Sequence, residues 1–126
     1  MPGPWALLAG NAILMLFAAV QWYATMPGVP QTGPYNPHFV RDIGAIYLVA
    51  AGGLAWFAWR PVQRWPALVG VAAFLTLHSV VHIHDALLSP VGGHDLARDF
   101  PGIFLPPLIA GWIAITTKPD PRRSTC

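Results

Sequence analysis

Four stretches of this chain, residues 5–26, 39–59, 66–88 and 100–117, each approach the ~20 apolar residues that an α-helix needs to cross a bilayer core of about 30 Å. Turn-forming segments separate them: a Pro- and Gly-rich stretch at 27–37, a short basic one at 60–65, and residues 89–99 with Pro90, Gly92 and Gly93. The apolar runs are long and do not alternate, which favours helices over barrel strands. Only 10% of residues are charged, against roughly 25% in a soluble domain, so there is too little charge to coat a water-facing surface. The expected fold class is all-α: a polytopic membrane protein, one transmembrane domain over residues 1–126 built as a four-helix bundle, with the lipid bilayer as its first partner. Small residues at Ala18 and Ala19, Ala50 to Gly53, Gly70 to Ala73, and Ala110 and Gly111 let helix backbones approach where lipid supplies no hydrophobic drive for association.

The first apolar stretch is tested as a signal peptide and rejected. Residues 1–4 carry no Lys or Arg, no small-x-small cleavage site follows, and Trp22 and Tyr23 suit a membrane interface, so the segment is expected to stay as the first span. The net charge of +2 comes from scattered Lys and Arg without a basic stripe, which excludes a nucleic-acid partner and leaves topology as their role. Arg60, Arg64, Lys118, Arg122 and Arg123 fall on one side; Arg41 and Arg98, each followed by Asp, fall on the other. The positive-inside rule then places both termini in the cytoplasm of a multi-pass cell-membrane protein. Cys126 is the sole cysteine, which excludes an intrachain disulfide or a cysteine metal site.

Two hairpins repeat at an offset of 57 positions: Arg41-Asp42 falls on Arg98-Asp99, Ile46-Tyr47-Leu48 on Ile103-Phe104-Leu105, and Gln21 and Thr25 on His78 and His82. Duplication about an axis along the membrane normal explains this. So does convergence, since helices entering from one face both favour a carboxylate at the positive end of the dipole.

On this topology His38, His78, His82, His84 and His94 and four of five aspartates gather in the outer half. His78, His82 and Asp85 recur at i, i+4 and i+7, which stacks them on one helix face, with His78 roughly 15 Å below the helix end. Ionisable residues inside a membrane are rare and by default face a bundle interior or cavity. His-x3-His is a metal-ligand spacing, and Asp85 suits a third ligand or an acceptor that fixes an imidazole tautomer. A transition metal or haem is the cofactor class such a column suits; a satisfied structural histidine is the alternative. The second constellation is Tyr35-Asn36-Pro37-His38 followed by Arg41-Asp42: Asn36 suits an N-cap and Pro37 the first helical position. Neighbours on one helix do not face each other, so Arg41 is expected to pair with Asp99 and Arg98 with Asp42, locking the hairpins; two arginines snorkelling to water are the alternative. Pro106 and Pro107 are expected to kink the fourth span, and Trp22, Tyr23, Trp56, Trp59 and Trp65 to anchor at the interfaces.

Residues 33–44, with Pro-Tyr-Asn-x-His and Arg-Asp-x-Gly, and His78-x3-His82 after them, resemble a group of small uncharacterised bacterial membrane proteins, distantly DoxX-like. The resemblance covers mainly residues 27–85; it implies a four-helix fold in the bacterial inner membrane and no particular activity. The expected function is an outward-facing pocket of His38, Arg41, Asp42, Arg98 and Asp99, joined by His78, His82 and Asp85, that binds a small ligand or a metal. A proton- or ion-coupled transporter is a second expectation, although below the column only Gln21, Asn11 and Thr76 offer polar groups. An accessory subunit of a larger membrane complex, or a homo-oligomer, is a third. No nucleophile motif, phosphate loop or dinucleotide fingerprint marks an enzyme. Reporter fusions after Arg64 and after His94 are expected to report opposite compartments, the first cytoplasmic.

Overall fold

The computed structural model describes residues 3–61, 64–88 and 96–120. Those residues are helical with no strands among them: α1 (Pro4–Phe17), α2 (Ala19–Thr25), α3 (Pro37–Trp59), α4 (Trp65–Leu88), α5 (Leu96–Asp99) and α6 (Leu105–Thr116), with a 3₁₀ turn at Val29–Gln31 and a π turn at Phe100–Phe104 joining α5 to α6. Pro37–Trp59, Trp65–Leu88 and Leu96–Thr116 are each long and apolar enough to cross a membrane. Their exteriors are as apolar as their contacts. Leu77, Val80, Val81, Leu87, Leu108, Trp112 and Ile115 are all exposed, as lipid-facing positions are.

The first span departs from expectation. Instead of one helix over 5–26, the chain turns by 115° at Ala18 between α1 and α2. At 14 residues α1 is about 21 Å long, short of the ~30 Å core, so the bent pair is either one broken span or a re-entrant segment beside the three continuous ones. No Pro or Gly stands at the break; tertiary bonds hold it. The Trp22 indole donates to Asn11 Oδ1 at 2.8 Å, a contact between residues that a straight helix would set about 16 Å apart along its axis. The carbonyl of Leu16, whose partner in a continuous helix is the Val20 N–H, accepts instead from Arg41 Nε at 3.4 Å.

The helices run up and down in a row: α1 packs on α3, α3 on α4, and α4 on α6, while α1 and α6 make no contact. One apolar cluster runs along the row, from Ala12 and Met15 through Val40, Tyr47 and Ala50 to Leu68, Val71, Leu75, Ala110 and Ala114. Two glycines set the closest crossings. A Cβ on Gly44 would sit 2.8 Å from Met15 Cβ, and one on Gly53 would sit 3.0 Å from Val71 Cγ2, whereas Gly70 and Gly111, expected to line interfaces, face open space. At the end of the row where α4 starts, Trp65 Nε1 donates to Ala114 O at 2.8 Å, satisfying a last-turn carbonyl of α6, and Arg64 lies 4.1 Å over the Trp56 ring. The start of α3 is as expected: Asn36 caps it by accepting from the His38 and Phe39 N–H groups, with Pro37 in the first turn.

The 57-residue offset carries α3 onto residues 94–116, close to the observed Leu96–Thr116. It also carries the break at Ala18 onto Leu75, where α4 is continuous. Gly44→Val is expected to lower stability by about 1–3 kcal/mol through overpacking against α1. Gly52→Ala, at a site with nothing within 4 Å, is expected to be neutral or to gain up to about 1 kcal/mol of helix propensity. Unfolding of both variants in detergent micelles checks the pair.

Candidate functional site

α4 carries two of its three imidazoles, His78 and His82, inward, while His84 is exposed. Tyr47 of α3, buried, meets the His78 ring edge-on at 5.7 Å between centroids; Phe74 stacks on His78 at 6.1 Å and meets Tyr47 edge-on at 5.5 Å; and the His78 and His82 rings meet at 4.9 Å. The column then leaves α4. His82 Nδ1 faces Asp99 Oδ2 at 3.4 Å, long for a hydrogen bond but within ion-pair range, with the two side chains 22% and 12% exposed. Arg98 Nε lies 3.2 Å from Asp99 Oδ1. The guanidinium rests against Gly28, which has φ +85°, so tightly that a side chain at Gly28 would collide with it. Tyr47, His78, His82, Asp99 and Arg98 thus form one line from the apolar core to the loop after α2.

The expected third member, Asp85, is not in that line: its carboxylate pairs with exposed His84 at 3.1 Å. Asp99 takes the place that the i+7 spacing assigned to Asp85. Among the described residues no group of three His, Cys, Asp or Glu side chains is placed to hold a metal ion, so His78, His82 and Asp85 do not form a metal centre there. His94 lies outside the described residues, as do Arg122, Arg123 and Cys126.

The second constellation stands apart from the first. His38 Nε2 and Asp42 Oδ2 are 3.2 Å apart on the surface of α3, with 86% and 61% of their side chains exposed. Such an i,i+4 pair contributes at most about 0.5 kcal/mol. The expected lock of Arg41 with Asp99 and Arg98 with Asp42 is replaced by other partners: Arg41 reaches the Leu16 carbonyl, and Arg98 sits beside Asp99. The physical reason is the break at Ala18. It leaves carbonyls of the last turn of α1 open next to α3, at the negative end of a helix dipole, and a cation is stabilised there. Among the described residues, a contact between the hairpins at this end is Arg98 against Gly28.

Behind the column lies a buried hydroxyl that the spacing arguments overlooked. Ser79 Oγ is 2.7 Å from Ile103 O and 3.0 Å from Leu75 O. Ile103 O has no donor four residues on because that residue is Pro107, and Gly102 O lacks one because of Pro106. The chain answers with the π turn, in which the Leu105 N–H bonds to Phe100 O. A widened turn thus directly precedes the prolines within Leu96–Thr116. The signal for Ser79, three residues before His82, needs the facing helix to become visible; Asp99 was expected in the pocket, but with Arg41 and not His82 as its partner. A groove between α4 and α6, lined by Trp65, Val69, Gly111, Ala114, Ile115 and Lys118, lies at the other end of α4, about 25 Å from His82.

The chain matches no known protein family, no curated protein and no solved structure. The geometry itself is testable: in detergent, diethylpyrocarbonate is expected to modify His38 and His84 several-fold faster than His78 and His82, read by peptide mass spectrometry. Equal rates at all four would contradict the sheltered column.

Proposed function

We propose that this chain is a multi-pass protein of the bacterial cell membrane, with both termini cytoplasmic, that binds a small ligand at an outward-facing polar site made of His78, His82, Asp99 and Arg98. The observation that carries this is the continuous line from Tyr47 to Arg98. In a segment apolar enough to cross a membrane, two imidazoles, a carboxylate and a guanidinium are costly to maintain unless they are used. The site offers nitrogen donors and acceptors deep in the bilayer and a charged pair at its mouth, which suits a small polar molecule or an imidazole-bound transition metal or haem entering from outside. His38, Asp42 and Asp85 belong to the surface around this site. The duplication and the distant DoxX likeness are part of the same reading: the repeat is supported by the matching positions of the second helix of each hairpin, although the bend at Ala18 has no counterpart in α4.

A second reading, a subunit of a larger membrane complex or homo-oligomer, draws support from the open row, in which α1 and α6 occupy opposite edges and do not meet. Transport draws less support. On the inner side Asn11 is occupied by Trp22, and the Thr76 hydroxyl bonds to Ala72 O within its own helix.

Elemental analysis and an absorption spectrum of gently purified protein are expected to show a stoichiometric bound group or, with none present, saturable binding of added Zn²⁺ or haem. His82→Ala and Asp99→Asn are expected to weaken that binding at least tenfold, while His38→Ala and Asp85→Asn leave it within twofold. Binding that is absent in the wild type, or unchanged in His82→Ala, would overturn the proposal.

A further inference from the structure

Ser79 and His82 stand one turn apart on the same face of α4. Their partners on the last helix, Ile103 and Asp99, stand one turn apart in the opposite direction. The two contacts therefore share one antiparallel register. The π turn Phe100–Phe104, which carries about one more residue per turn than an α-helix, starts directly after Asp99 and contains Ile103. Were it to revert to α geometry, Asp99 would swing by about 100° around the axis relative to α6 and leave His82. Its Ile103 carbonyl has lost its intrahelical donor to Pro107, and in an apolar surrounding that carbonyl must find another. The Ser79 hydroxyl, 7% exposed, is the group that supplies it.

We infer that Ser79 is a positioning residue: by donating to the Ile103 carbonyl it holds the π turn in the register that places Asp99 against His82. This rests on the binding reading above for its functional meaning, though not for its geometry. A hydroxyl that bonded only to Leu75 O, in its own helix, would have no such effect, as that bond is internal to α4. The Ile103 bond crosses to the partner helix, so its loss is felt at residue 99. Asp99 in turn biases the His82 tautomer: Oδ2 lies 3.4 Å from Nδ1, an ion-pair contact rather than a hydrogen bond, and the carboxylate charge favours a proton on Nδ1, which leaves Nε2 as the lone-pair nitrogen for a ligand.

The experiment is the ¹⁵N spectrum of histidine-labelled protein in detergent without ligand, with the His82 signals assigned by their loss in His82→Gln. The wild type is expected to show a predominantly Nδ1-protonated His82. Ser79→Ala and Asp99→Asn are both expected to lose that signature, while Ser79→Thr, which keeps the hydroxyl, retains it. Should Ser79→Ala fail to fold, Ser79→Cys, of similar size and a poorer donor, is expected to show a mixed population of the two tautomers. A His82 spectrum that is unchanged in Ser79→Ala, or in a folded Ser79→Cys, overturns the inference. Ligand titration of the same samples separates the two claims: a wild type with the signature and no binding refutes the binding site alone, and binding with an Nε2-protonated His82 refutes the positioning role alone.

Discussion

A carbonyl that loses its intrahelical N–H inside a bilayer has no water to turn to, and leaving it bare costs several kcal/mol. This chain breaks its helices at several places, and at three of them a side chain from another helix meets an opened carbonyl. Arg41 reaches Leu16 O where α1 stops, Ser79 reaches Ile103 O where the prolines interrupt the last helix, and Trp65 reaches Ala114 O where α6 ends. The Tyr23 hydroxyl bonds to Gly33 O in the loop, and Asn36 supplies the missing acceptor where α3 begins. Because the bonds from Arg41, Ser79 and Trp65 join separate helices, the repair of the backbone is also what ties neighbouring helices into register. Close crossings at Gly44 and Gly53 then add contact between backbones, which is the main attraction left once lipid has matched the apolar side chains.

The candidate site is a by-product of those repairs. The widened turn after Asp99 and the left-handed Gly28 turn bring a carboxylate and a guanidinium over the end of the imidazole column. Inside, aromatic rings surround His78, so the polar line narrows from a charged mouth to the buried phenol of Tyr47. A single helix face presenting His78 and His82 would be no more than a polar stripe. The partner from α5 is what gives the stripe an end and a direction.

Much of this was legible in the chain alone. Hydropathy and punctuation located three of the apolar spans within a few residues, because length and apolarity are local properties. Asn36-Pro37 announced the start of α3 for the same reason: a cap acts within one turn. What failed was everything that depends on another helix. The 115° bend at Ala18 carries no Pro or Gly and is held by Trp22 and Arg41, so a periodicity argument passes straight through it. Asp85 satisfied the i+7 stripe and still turned to His84, since one face of a helix is wide enough for a surface carboxylate to prefer water. The role of Asp99 was hidden behind its neighbour Arg98, whose matched position to Arg41 suggested a symmetric lock. Arg41 was drawn instead to a helix end that the sequence does not show to exist.

The central claim is that lipid bathes the apolar flank of α4 while the His82–Asp99 end of the column opens to the outer aqueous phase alone. Spin labels introduced singly at Leu77, Val80 and Asp99 in proteoliposomes, scanned with oxygen and with an impermeant nickel chelate, test it most directly. The account predicts oxygen access without nickel access at 77 and 80, and nickel access at 99 only when the chelate is on the outer side. Nickel broadening at 77 or 80, or at 99 from the inner side, would contradict it.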